Sequence, residues 1–174
     1  SVFNPATQRN EVILINDAYE VSIGRQVAAS LTQKERLSSD QQAQARVEKI
    51  GKMVAAVSDR QNIPYEFHVL DNNELNAVSL PGGFIYINSG LLKQLTDDEL
   101  AFVLGHELGH VAAKHAVKKI QSSMAFDLLM NIALNVTPAS QAANAASIAR
   151  ASGTIYNLVS LGYSRKDEYF AYQL

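Results

Sequence analysis

Val12, Ile15, Tyr19 and Ile23 stand three or four positions apart. That is the spacing of one apolar helix face, and it predicts a helix over residues 10–31. Ser38-Ser39-Asp40 offers capping side chains for a second helix running to about residue 57, with Val47, Ile50, Met53 and Val57 turned inward. The period then shortens. Tyr65-Glu66-Phe67-His68-Val69-Leu70 alternates as a strand does, and a second strand is predicted over 77–80. Pro81-Gly82-Gly83 then turns the chain into the β-rich run Phe84-Ile85-Tyr86-Ile87. The helical period returns after Thr96, which has capping-box spacing to Glu99, while Leu95 and Leu100 form a hydrophobic staple. This helix is predicted to continue to about residue 119, where lysines suit the C-terminal dipole. Another helix is expected near 124–135. The Ala- and Ser-rich stretch 138–152 reads either as helix or as a mobile segment, and Ser164 caps a last helix. There is no internal repeat, and the pattern predicts one α+β domain over residues 1–174, mainly helical, with a small sheet between helical layers.

Composition narrows the chemistry. A net charge of −2 over 174 residues gives no bulk attraction to polyanions, so nucleic acid is not an expected partner. The chain has no cysteine, which excludes disulfides and thiolate metal sites and leaves histidine and carboxylate as metal ligands. The opening Ser1-Val2-Phe3-Asn4-Pro5 lacks the basic and apolar regions of a signal peptide. The longest apolar run, 125–136, contains Asp127 and is too short to cross a bilayer. No transmembrane segment is therefore expected in this chain, and association with a membrane would require a removed N-terminal signal or a lipid anchor.

Within the capped helix lies His106-Glu107-Leu108-Gly109-His110. Side chains four apart on a helix stack on one face, so both imidazoles can reach one ion, and Glu107 can reach a water on it without being a ligand. Two neutral histidines and one carboxylate hold zinc with a fourth position left for water, whose proton Glu107 would take as general base. Three of the four histidines fall within ten residues, and Gly105 and Gly109 leave room for close backbone approach. A metzincin would carry its third histidine where this chain has Ala116. His115 lies on another face of a continuous helix and reads as a structural hydrogen-bonding residue. Of the acids after Asp127, Asp167 is accounted for by capping with Ser164, and Glu168 is chosen as third ligand.

The segment from His106 to His115, the run Asn76-Ala77-Val78-Ser79-Leu80-Pro81-Gly82-Gly83-Phe84-Ile85-Tyr86-Ile87, and Ser164-Arg165-Lys166-Asp167-Glu168 together resemble the HtpX/BepA/CAAX-prenyl-protease group of gluzincins. The three motifs occur in that group's order and span residues 76–171. The resemblance implies a zincin-like metallopeptidase fold and a zinc endopeptidase with one ion per chain. It implies Glu168 as third ligand, and a cleft bordered by the Pro-Gly-Gly strand. Asn76, Gly82, Gly83 and Phe84 are the expected substrate-binding residues. The stretch 83–88 is the expected exposed edge to which an extended protein or peptide substrate adds as a strand. Tyr86 and Tyr163 are candidate stabilisers of the transition state. By the same resemblance the protein is placed in the periplasm or cell envelope, acting in protein quality control on extended or misfolded segments. The group usually has an aspartate four residues after the ligand glutamate, where this chain has Tyr172, and it continues into further helices where this chain stops at Leu174. The expectation is therefore a domain lacking its C-terminal part. The runner-up reading is a zinc-binding, chaperone-like module that recognises client proteins without cutting them, and the third is a helical interaction protein with an accidental motif. The stretch 138–152, between the ligand helices, is also a candidate cover for a latent site.

Overall fold

The computed structural model describes residues 1–123, 145–160, 162, 167, 168 and 171. A short antiparallel hairpin of β1 (Val2–Asn4) and β2 (Arg9–Glu11) opens the chain. Helix α1 (Asp17–Lys34) begins later than the apolar period predicts, because the Asn16 side chain accepts from the Tyr19 amide at 2.9 Å and sets the start. Val12 and Leu14 therefore lie before the helix and are exposed, and Tyr19 is on its outer side. Helix α2 (Gln41–Ala55) is capped by Asp40, as expected, through the amides of Gln42 and Ala43. Its inward face is Val47 and Gly51, the latter packed directly on the Phe67 ring. Met53 and Val57, expected inside, are 64% and 83% exposed. The contact at Gly51 turns Met53 outward, and Val57 lies past the helix end at Ala55.

Strands β3 (Glu66–Leu70), β4 (Ala77–Leu80) and β5 (Phe84–Asn88) form a sheet in the order β3-β5-β4, with β3 parallel and β4 antiparallel to β5. The central β5 is buried at all five residues, which explains why it reads as a continuous apolar run. Its alternate side chains serve two cores. Phe84 and Tyr86 face Ile23, Val27, Leu31, Ile120 and Ile155, whereas Ile85 and Ile87 face Val47, Phe67, Leu100 and Leu104. The outer edge of β3 is closed by Gln44 of α2, whose amide donates to the Phe67 carbonyl (2.7 Å) and accepts from the Val69 amide (3.1 Å).

The one-turn α3 (Ser89–Leu92) leads to α4 (Asp97–Ala112), α5 (His115–Gln121) and, beyond residues outside the described set, α6 (Ala145–Ser160). The predicted continuous helix to residue 119 is broken. Lys114 adopts a left-handed conformation (φ 57°) between α4 and α5. The break is held by tertiary bonds: Lys114 Nζ to Asp17 (2.8 Å) and Lys118 Nζ to Glu11 (2.7 Å). The helix expected near 124–135 lies outside the described residues. Of the stretch 138–152, residues 145–152 belong to α6. No described helix is long and apolar enough to cross a membrane.

Behind the sheet turn sits a buried ion network. Arg60 donates to both oxygens of Glu20 (3.0 and 2.6 Å), to Asp17 (2.6 Å) and to the Val111 carbonyl (3.2 Å). Glu20 also accepts the Gly82 amide at 3.0 Å. This network ties α1, the Pro81-Gly82-Gly83 turn and the end of α4 into one unit.

Candidate metal centre

Helix α4 starts as its sequence predicts. The Thr96 amide donates to Glu99 Oε2 (2.8 Å) and the Thr96 hydroxyl accepts from the Glu99 amide (3.3 Å), while Arg46 Nε meets Asp97 at 2.7 Å. Leu100, Leu104, Leu108 and Val111 form the ridge that α4 buries. Helical periodicity then directs His106 and His110 away from that ridge, stacked one turn apart. Their Nε2 atoms are 3.2 Å from each other. Glu168 completes the cluster, with Oε2 at 2.7 Å from His106 Nε2 and Oε1 at 3.4 Å from His110 Nε2. One ligand atom from each of the three residues lies within 4.8 Å of the others.

This donor set fits a zinc ion. Tetrahedral ligands at about 2.0–2.1 Å from a zinc ion stand roughly 3.3 Å from each other, close to the 3.2 and 3.4 Å spacings to His110, with the 2.7 Å contact of His106 and Glu168 shorter. Two imidazoles and a carboxylate carry the donor chemistry such an ion takes. Burial pushes the pKa of His110 well below its ordinary value, with the charges of His115 and His106 adding to that and Glu168 opposing it. His110 is therefore neutral and able to coordinate at neutral pH. Glu107, next along α4, has its pKa pushed up to about 7 by burial, with Glu168 adding to the rise and nearby Ser79 on β4 opposing it. A carboxyl group with its pKa near neutrality can both accept and return a proton at physiological pH.

Gly109 allows the convergence. A Cβ there would lie 2.6 Å from the Ala171 carbonyl oxygen, so the segment bearing Glu168 rests directly on α4. This is the close approach expected from the glycines flanking the histidines. It occurs at Gly109 and not at Gly105, where the nearest atom to an added Cβ is Val54 Cγ1 at 3.6 Å. A groove of about 180 Å³ runs beside His106, lined by Val54, Val57, Phe102, Gly109 and Ala171 among others.

The expected substrate residues are placed differently. Gly82 and Gly83 are buried with φ of 82° and 86°, against α1 and against Tyr65 and Ile63 respectively. Phe84 is 2% exposed in the core. The stretch 83–88 is not an edge, because β5 pairs on both sides. In the three-stranded sheet β3 and β4 are the edges; Gln44 covers that of β3, and β4, which packs against α4, keeps its outer side for pairing. Asn76 is exposed just before β4, and its carbonyl accepts the Asn88 amide at 2.9 Å. Tyr86 is buried and stacked on His68 (centroids 5.2 Å apart). Tyr163, Ser164 and Tyr172 lie outside the described residues. Asp167, assigned to capping from the sequence, lies 3.5 Å from His115 Nε2. Sequence reasoning overlooked Ser79, whose small side chain in a strand carried no signal of its nearness to Glu107.

A helix bearing two histidines and a glutamate, completed by a carboxylate from a later helical segment and flanked by a small mixed sheet, defines an α+β, zincin-like metallopeptidase fold. Residues 41–174 match the model of Peptidase family M48, and the chain belongs to that family. It is 34% identical over 99 residues to the mitochondrial metalloendopeptidase OMA1 of Arabidopsis thaliana, covering 56% of this chain and 20% of that protein. It is 31% identical over 116 residues to the metalloprotease YcaL of Escherichia coli, covering 64% of this chain and 43% of that protein. With the metalloprotease LoiP of the same bacterium the identity is 38% over 61 residues, 35% of this chain and 24% of that protein. The chain thus spans less than half of the length of these relatives.

Proposed function

We propose that this domain is a zinc-dependent endopeptidase of the gluzincin type, in which His106, His110 and Glu168 hold one zinc ion and Glu107 is the general base. The observation that carries this reading is the meeting of three ligand atoms, from positions 106, 110 and 168, beside a carboxyl group whose pKa burial brings to about 7. A zinc ion bound there supplies Lewis acidity that polarises the scissile carbonyl and acidifies a water. Glu107 accepts the water's proton as its oxygen attacks the carbonyl carbon. It then returns the proton to the amide nitrogen as the C–N bond breaks, leaving one free carboxylate and one amine. The substrate is a protein or peptide in extended form. The unpaired side of β4 suits an added strand, with Asn76 at its entry. Gly82, Gly83 and Phe84 act behind that strand by shaping its turn. By family resemblance the setting is the periplasm or cell envelope, and the substrates are misfolded or extended segments.

The test pairs metal content with turnover. Elemental analysis should find one zinc per chain in the wild type and little in Glu168→Ala. Glu107→Gln should keep its zinc and lose cleavage of an unfolded casein substrate by at least about a hundredfold, the scale of a lost general base. Absence of zinc from wild type purified without chelator sinks the proposal. Equal metal in wild type and Glu107→Gln with no cleavage by either would instead favour a zinc-binding, client-recognition module.

A further inference from the structure

His115 stands outside the ligand set, yet its Nδ1 lies 2.8 Å from His110 Nδ1, and its Nε2 lies 3.5 Å from Asp167 Oδ1. His110 and His115 are only 2% and 3% exposed. We infer that His115, backed by Asp167, is a positioning residue that selects the metal-binding tautomer of His110. The inference rests on the metal reading above.

His110 turns Nε2 toward His106 and Glu168. A neutral imidazole carries one proton, so an Nε2 lone pair for the metal places the proton on Nδ1. At 2.8 Å one of the two facing Nδ1 atoms donates and the other accepts, so with the proton on His110 the Nδ1 of His115 is the unprotonated acceptor. The proton of His115 then sits on Nε2, on the side where Asp167 Oδ1 lies 3.5 Å away. The chain Asp167–His115–His110 is thus self-consistent in one sense only, with each ring neutral and each donor facing an acceptor. The reverse arrangement, in which His115 donates from Nδ1, leaves the His110 proton on Nε2, where it blocks the metal. A lysine or arginine at position 115 has donors alone and imposes that blocked state. Outer partners of this kind orient ligand histidines in metal sites generally.

The fold explains how His115 reaches this position. On a continuous helix it would face away from His110. The left-handed turn at Lys114 starts a new helix, which brings the ring back over His110 with centroids 5.1 Å apart. Asp167 precedes Glu168, so one segment delivers both the third ligand and the end of the relay.

The test uses the full chain stripped with EDTA and titrated with zinc chloride against a chromophoric chelator. His115→Leu removes the acceptor, whereas His115→Gln restores one, its amide oxygen facing His110 and its NH₂ facing Asp167. The zinc Kd should rise roughly 10- to 100-fold in His115→Leu and stay within about threefold in His115→Gln. A His115→Leu Kd within about threefold of the wild type overturns the inference and leaves the metal site standing, while a wild type that takes up no zinc removes both. Should His115→Leu fail to fold, long-range ¹⁵N–¹H spectra of the zinc-loaded wild type decide. Protons on His110 Nδ1 and His115 Nε2 support the relay, and a proton on His115 Nδ1 refutes it.

Discussion

Gly109→Ala should damage the metal centre without touching a ligand, and Gly105→Ala should not. At position 109 the new methyl would sit 2.6 Å from the Ala171 carbonyl oxygen and 3.0 Å from its Cα, where ordinary contact begins near 3.4 Å. The backbone at Ala171 must retreat by about 0.8 Å. Glu168 lies three residues before it, so its carboxylate moves by a comparable amount. A metal or catalytic constellation tolerates about 0.5 Å, and a misplacement near 1 Å costs on the order of a hundredfold. Alanine improves helix propensity by about 1 kcal/mol at either position. At Gly105, with its nearest neighbour at 3.6 Å, that gain should appear as a higher Tm. At Gly109 it is opposed by overpacking worth about 1–3 kcal/mol. Chelator-competition titration with zinc, alongside thermal unfolding of the metal-free proteins, reads both quantities. The expected pattern is a 10- to 100-fold weaker zinc Kd in Gly109→Ala only. If Gly109→Ala binds zinc as tightly as Gly105→Ala, the contact with Ala171 does not position Glu168, and the packing argument fails.

Arg60→Ala should cost about 3–5 kcal/mol in urea unfolding, because it strands the buried Glu20 carboxylate. A loss below 1 kcal/mol would mean that water satisfies Glu20. Thr96→Ala should lower stability by about 1 kcal/mol through loss of the capping box. Undiminished stability in that variant would place the nucleation of α4 in its apolar ridge alone. Because burial raises the pKa of folded Glu107 above its unfolded value, its contribution in the metal-free protein is fully present below about pH 4.5 and is lost as pH rises through about 7. The difference is up to about 3 kcal/mol. His110 acts in the opposite sense: its depressed folded pKa removes stability as pH falls below 6.5. Comparing metal-free wild type with Glu107→Gln by chemical unfolding from pH 5 to 8 isolates the first effect, since the variant should lack the decline. Parallel pH curves for the two proteins would contradict it.

Local chemistry sets much of this protein. The Thr96–Glu99 box, the Asp40 cap, the period-two strands, the Pro-Gly-Gly turn and the four-residue spacing of His106 and His110 depend on neighbours within one or two turns, so each was legible in the sequence. The tertiary structure decided what local patterns cannot carry. Met53 and Val57 keep helical spacing in the sequence yet lie outside, Met53 because Gly51 against Phe67 chose the buried face and Val57 because the helix ends at Ala55. The β5 run reads the same as an edge or a centre, and only its pairing with both β3 and β4 made it central and moved the unpaired side to β4. The kink at Lys114 owes its place to partners some hundred residues away in the chain, at Asp17 and Glu11. That kink placed His115 on His110, a contact invisible to any single-helix projection. The sequence alone marked two histidines and a glutamate as a metal motif. Long-range packing, through a glycine that admits the Ala171 backbone, brought Glu168 within 2.7 Å of the first of them.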